Sequence, residues 1–536
     1  LHLLSRRQRQ MCIRDRIYAI FLSFFLCGLC GNAEAKKKKE VKKAIKREVQ
    51  TPYDKLFKGK KAFTVNGLMK MHLMAGKVYA EFPIELLNRD LALTSSIEDI
   101  SDNGEGVVGQ FAGRVNQFRF TLQDSMLQAR LVRRYGVKNT GMGKNADQII
   151  ERSNTPGIFQ SYKILAYTPD KKAVVVDMTE LFLESSRLTN PFPSYAGNSL
   201  YGFVQRIHKF QSQRSELLGI CGNDNSMSVR CNLGFNVDRL VLGSFMQAKD
   251  VPVSVTVNKI LMLLPEDPMR PRLADSRIGV NAIIQTELPD VCQGIKTYYI
   301  TKRWRIEPVD EIRYKQGEMV DVKKPIVFYI DTLMPDSWIK YVKAGAEAWN
   351  AAFEKIGLRN VVRTELFPKD SSFDAGDIHN SVIRYAPSWM YYPQYSMHTD
   401  PRTGEILNAS VYLPANVASY FYTSRTEETM AVDPSVRKAR LSEEQFGEMF
   451  KAKMMQAIGR CLGLTDNYAA SSVYPVDSLR SASFTRKYGV VASVMDDFTC
   501  NKIAQPEDVK KGVVLVQQNL GPYDYCLLYT SPSPRD

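Results

Sequence analysis

The sequence predicts an α+β fold in which a mainly β N-terminal region is followed by an α/β domain. Three observations point there. From Tyr53 to about Lys323, short apolar runs alternate with polar residues between turn signals, the pattern of half-buried strands. At Lys324 the character changes to a continuous apolar strand followed by a long run with helical period, and a second such run begins at Ser442. The 536 residues, 44% of them hydrophobic, suffice for two or three domains with substantial cores.

Residues 51–190 are expected to form a β-rich N-terminal domain, 191–323 a second β-rich region and 324–525 the α/β domain. In the first, Gly76–Phe82 alternates, Gln117–Thr121 and Leu127–Val132 flank a turn at Gln123–Ser125, and Lys163–Thr168 and Ala173–Met178 flank Pro169–Lys171. In the second, Val251–Leu264, Gly279–Thr286 and Gly294–Ile306 read as strands. His72 and His208 have no spaced partners and read as structural or solvent-facing. In the third, Pro325–Ile330 reads as a buried strand, and Pro335–Asp336 opens a helix that runs to about Ile356 and stops at Gly357. Trp338, Val342, Ala346, Trp349 and Phe353 form its core stripe, and Ser381–Tyr385 is a further strand. The last helix starts at Ser442, where S-E-E-Q offers a capping box with Gln445. Phe446, Phe450, Met454, Ala457, Cys461 and Leu464 follow its core-facing stripe.

Both ends read as foreign. Leu1–Arg16 and Cys526–Asp536 resemble translated sequencing-adaptor read-through, which makes the C-terminus a truncation. Ile17–Cys30 is apolar but short for a bilayer span and is followed by Ala33-Glu34-Ala35, so residues 17–35 read as a cleaved secretory signal and the mature chain as periplasmic, cell-surface or extracellular. No other stretch reads as a transmembrane helix. Residues 36–50 form a basic linker. Lys36–Val49 carries eight bases and two acids, about half of the positive excess that remains once the formal +15 is corrected for residues 1–35. The rest is spread thinly, unlike the clustered basic face of a nucleic-acid binder. The linker is expected to be a solvated spacer or to touch an anionic envelope surface. Five cysteines fall within the mature chain: Cys221, Cys231, Cys292, Cys461 and Cys500. Cys221 and Cys231 flank a polar stretch and are open to two readings, a bridge closing that loop or reduced buried thiols.

The most informative stretch is Met454–Asn467, M-M-Q-A-I-G-R-C-L-G-L-T-D-N. It is joined by Ala492-Ser493-Val494-Met495-Asp496, by Asp400–Ala409 leading into Ser410-Val411-Tyr412-Leu413, and by Tyr474–Arg480 and Ala504–Asp508. Together these runs resemble the large secreted zinc-dependent metalloproteases of Bacteroidota, a metzincin-like zincin family, with a looser likeness from about Tyr53 to Tyr525. The resemblance implies a zincin domain with an active-site-type helix and a Met-turn at Met495. Ser410, Val411, Tyr412 and Leu413 would lie on the edge strand that aligns peptide.

In that family the signature is H-E-x-x-H-x-x-G-x-x-H. Two His at i and i+4 share a helix face, the Glu reaches the zinc-bound water, and Gly turns the chain so that the third ligand returns to the metal. With Gly463 at the Gly, the resemblance puts Gln456 and Arg460 at the helical ligand positions, Ala457 at the general base and Asp466 at the third ligand. Ala457 accepts no proton, Gln456 is a poor zinc ligand, and the Arg460 guanidinium stays charged where a dication should sit. Arg460 and Asp466 are expected to pair in the volume the metal would fill, and a Cys461–Cys500 crosslink is a second candidate replacement. His379 and His398 lack helical partners for an unrelated zinc site. No Walker loop, dinucleotide fingerprint or G-x-S-x-G appears. The expectation is an exported, catalytically inactive pseudopeptidase that binds no zinc and holds peptide or protein in a retained cleft. The alternatives are an active zinc-dependent metalloendopeptidase with an unconventional metal site, and a structural envelope protein with a closed cleft.

Overall fold

A computed structural model describes residues 50–132, 137–139, 144–185, 190–192, 204–242, 245–289, 294–369, 373–388, 390–497 and 500–530. The expected signal segment, the basic linker and Cys292 lie outside the described residues.

Among the described residues, eleven antiparallel strands make one sheet. Its order is Phe63–Val65, Lys70–Met74, Lys77–Pro83, Ala173–Asp177, Gly157–Tyr167, Met126–Leu131, Phe111–Gln123, Leu91–Ile100, Phe245–Leu263, Ser226–Val241 and Val204–Asn223. The expected hairpins are present, with Asp124 and Lys171 supplying positive φ in their turns. Strands from the expected 51–190 and 191–323 regions are neighbours in this sheet, because Leu91–Ile100 pairs with Phe245–Leu263 and buries Ile97 beside Val257. The boundary at residue 190 therefore does not separate two sheets. The long hairpin decides between the two readings left open for Cys221 and Cys231 in favour of reduced thiols, of which only Cys231 is buried. Cys221 stands opposite Ser228 and Cys231 opposite Leu217, so the polar stretch is two paired strand ends and both thiols are free.

The C-terminal part holds a five-stranded sheet, ordered Val362–Leu366, Ile326–Ile330, Ser381–Tyr385, Ile406–Leu413 and Gln394–Thr399. Its first three junctions are parallel and its last is antiparallel. Phe328, Val411, Phe421, Phe450, Met454, Ile458 and Met495 are fully buried in its core. The helix expected from Pro335 to Ile356 is broken into Asp336–Glu347 and Asn350–Glu354. At the break the backbone bonds tighten to an i→i+3 spacing around Ala348 and Trp349. Trp349 is buried there and its indole N–H donates to the Met455 carbonyl at 2.8 Å, joining this helix pair to the later one. Gly357 stops the run in a left-handed conformation, as the sequence requires.

At the C-terminal end, Pro522–Thr530 is a helix and Leu527 is buried in the domain core. Part of the run expected to be foreign is thus packed into this core. No helix among the described residues is long and apolar enough to cross a membrane.

Candidate functional site

The helix Glu443–Cys461 starts where the sequence places it. The Ser442 hydroxyl accepts from the Gln445 N–H at 3.2 Å, and the Gln445 side chain accepts from the Ser442 N–H at 3.0 Å. Glu443 and Glu444 favour the positive end of the helix dipole. Met454, Ile458 and Cys461 are fully buried. The helix ends at Leu462, and Gly463 takes φ +98. Gly463 is needed twice over, because a Cβ there would also stand 2.5 Å from the Lys302 carbonyl oxygen. That close approach belongs to a clamp around the helix end. Asn281 donates its N–H to the Gly463 carbonyl at 2.7 Å, Thr465 to Gly279 at 3.0 Å, and the Trp304 indole to the Cys461 carbonyl at 2.9 Å.

Beneath the helix runs Ala492–Asp496, with Met495 fully buried. A Cβ on Gly459 would collide with the Met495 sulfur and the Trp349 ring, so this glycine lets helix, turn and tryptophan close on one another. The turn is held by Asp524, which accepts from the Ser493 hydroxyl at 2.5 Å, the Val494 N–H at 2.9 Å and the Gly521 N–H at 2.7 Å. The Asn467 N–H donates to the Met495 carbonyl at 2.9 Å and so ties the turn to the loop that carries Asp466.

Gln456, Ala457 and Arg460 share one wall of a pocket of about 300 Å³, completed by Tyr392, Pro393, Lys453, Tyr468 and Asp497. Gln456 is buried, and its amide is committed at both ends. Its NH2 donates to the Asp496 carbonyl at 2.7 Å, and its oxygen accepts from the Lys453 ammonium at 3.1 Å. Lys453 also pairs with Asp497 at 3.2 Å. Arg460 pairs with Asp466, with Nε and Nη2 standing 2.9 and 2.7 Å from the same carboxylate oxygen. Its guanidinium carbon lies 5.8 Å from the centre of the Tyr395 ring. Burial raises the Tyr395 hydroxyl's pKa against the pull of Arg460. The pairing of Arg460 with Asp466 expected from the sequence is therefore present.

Ser410–Leu413 is not part of this pocket, which corrects the expected edge strand. The strand Ile406–Leu413 is paired on both sides, and all four residues are buried. The edge is Gln394–Thr399, which lies antiparallel outside it. Tyr395 on that edge is exposed, whereas His398 and Thr399 are buried and the His398 ring packs on Phe111 of the N-terminal sheet.

The Cys461–Cys500 crosslink is also corrected. Both cysteines are free; Cys500 Sγ lies 3.8 Å from Met449 Sδ, and Cys461 Sγ lies 4.0 Å from the Ser410 carbonyl. His379 is held by Asp377 at 2.8 Å. Among the described residues, no group of three or more His, Cys, Asp or Glu could hold a metal ion. Sequence reasoning missed Lys453, which lies three residues before Gln456 and so on the same helix face. It also missed Tyr392, Tyr468 and Asp497, which only the fold brings there.

Residues 438–528 match a family described as Met-zincin, and residues 109–309 match a domain of unknown function (DUF5117). No curated protein and no solved structure matches the chain. The helix, the turn beneath it and the pocket all carry residues of the first match, and over that span the chain is similar to the family described as Met-zincin.

Proposed function

We propose that this chain is an exported metzincin-like pseudopeptidase that holds a peptide or protein segment in its cleft without hydrolysing it. Zinc is the metal the family resemblance implies, and the residues at the site do not fit it. The observation that carries the reading is that Ala457 lines the pocket between a Gln456 amide engaged at both ends and an Arg460 guanidinium paired with Asp466. This donor set offers no imidazole, no thiolate and a fixed positive charge, the reverse of what a dication needs. At the position of the general base a methyl group can neither take nor hold a proton.

A cleft nonetheless remains. The pocket is lined by Tyr392 and Pro393, which lead directly into the edge strand Gln394–Thr399, where Tyr395 is exposed and whose outer rim has no strand partner among the described residues. An extended segment added there would gain main-chain hydrogen bonds and direct a side chain into the pocket. On this reading the turn at Met495 is the Met-turn, and export rests on the apolar run Ile17–Cys30 with Ala33–Ala35.

Incubation with a fluorescently labelled, denatured protein, with and without added zinc, tests the reading. Saturable binding with no cleavage is expected; cleavage abolished by a chelator contradicts it.

A further inference from the structure

The polar character of the pocket selects a ligand chemistry. Lys453 and Arg460 both project into it from the site helix, while the one neutral acceptor between them, the Gln456 oxygen, is taken by Lys453. Tyr392 and Tyr468 complete a wall rich in N–H and O–H groups. The Lys453 side chain is 8% exposed, so a hydrogen bond from its ammonium is charge-assisted and poorly screened.

The two acids at the site already occupy the seats that a ligand carboxylate would take. Asp497 on Lys453 is 61% exposed, and an ion pair with so exposed a partner is weak because solvent screens it. An incoming carboxylate held along the edge strand can therefore displace it. The pocket, about 300 Å³, is at the small end of ligand sites. It accommodates one side chain or one terminal residue and no more.

We infer that the pocket takes the carboxylate of a bound peptide, seated on Lys453 in place of Asp497, with Arg460, itself paired to Asp466, lining the same pocket. This rests on the peptide-cleft reading above and names its ligand class: a segment ending in, or carrying, a carboxylate. Arg460 stands at a position where the resemblance would put a metal ligand, and Lys453 adds a second positive charge to the same pocket.

The test uses acetylated hexapeptide libraries read by fluorescence anisotropy. One library has free C-terminal acids, a second has C-terminal amides, and each is made with and without Asp and Glu. The inference predicts at least about tenfold tighter binding of carboxylate-bearing pools. The free-acid pool lacking Asp and Glu identifies the C-terminus as the source, and the amide pool containing them identifies the side chain. Lys453→Met, checked for an unchanged melting transition, should reduce the preference to within about twofold. Asp497→Asn should tighten binding of the preferred pool several-fold. Equal binding of acid-free amide and carboxylate pools overturns the inference and leaves the peptide-cleft reading standing. If no pool binds, both are overturned.

Discussion

The Arg460 guanidinium meets a single oxygen of Asp466 through Nε and Nη2, at 2.9 and 2.7 Å, across the turn made by Gly463. The two residues are six apart in sequence and close the loop after the site helix. At 22% and 32% side-chain exposure the pair is partly screened, so its contribution is modest, about 0.5–1 kcal/mol.

A double-mutant cycle of Arg460→Met and Asp466→Asn, read by denaturant unfolding, should return a coupling of about that size. Each single substitution should destabilise, because it leaves the other charge half-buried. Strict additivity would mean that the pair does not hold the loop.

Gly459→Ala sets two effects against each other. Alanine gains roughly 1 kcal/mol of helix propensity over glycine, but the added methyl meets the Met495 sulfur and the Trp349 ring in a closed core. Overpacking of that kind costs about 1–3 kcal/mol, and the neighbours here are buried and cannot swing away. Net destabilisation of up to about 2 kcal/mol is expected, and a more stable variant would show that helix and turn pack more loosely than described.

His398 is wholly buried against Phe111, and burial lowers its pKa from 6.5 to about 4. The folded state therefore binds the proton less readily than the unfolded chain. Stability from this group is present above about pH 6.5 and is lost as pH falls towards 4, by up to about 3 kcal/mol. Asp524 works in the opposite direction: burial raises its carboxyl to about 6, which favours the fold as pH falls through the same window. The difference between the parent and His398→Phe isolates the histidine. The variant should lose less stability between pH 7 and pH 4.5, and parallel pH curves would refute the assignment.

Much of this was legible in the sequence because it depends on local spacing. The Ser442 capping box, the buried stripe through Met454 and Cys461, and the stop at Gly463 all follow from residues within a turn or two of one another. The hairpin turns at Asp124 and Lys171 are of the same kind. Sheet order is not local, and there the reading failed. The resemblance puts Ser410–Leu413 on an edge, nothing in an apolar run says whether one or both of its sides are paired, and the strand Gln394–Thr399 that pairs with it is neither long nor strongly alternating. The pocket's remaining wall, Tyr392, Tyr468 and Asp497, comes from two loops and the start of the 3-10 helix Tyr468–Ser472 and had no sequence signal.

Reductant should leave the melting transition unmoved, since Cys221, Cys231, Cys461 and Cys500 are free. A disulfide at either candidate pair, Cys221–Cys231 or Cys461–Cys500, would cost about 2–4 kcal/mol on reduction, a Tm shift easily seen. A reductant-sensitive Tm would show that a bridge forms after all.

The proposed function requires that the pocket beside the site helix persist without metal-binding chemistry. Elemental analysis of zinc in the purified protein and in the triple variant Gln456→His, Ala457→Glu, Arg460→His tests it most directly, with Asp466 left to serve as the third ligand. The account predicts substoichiometric zinc in the parent and close to one zinc per chain in the variant. Stoichiometric zinc in the parent would contradict it.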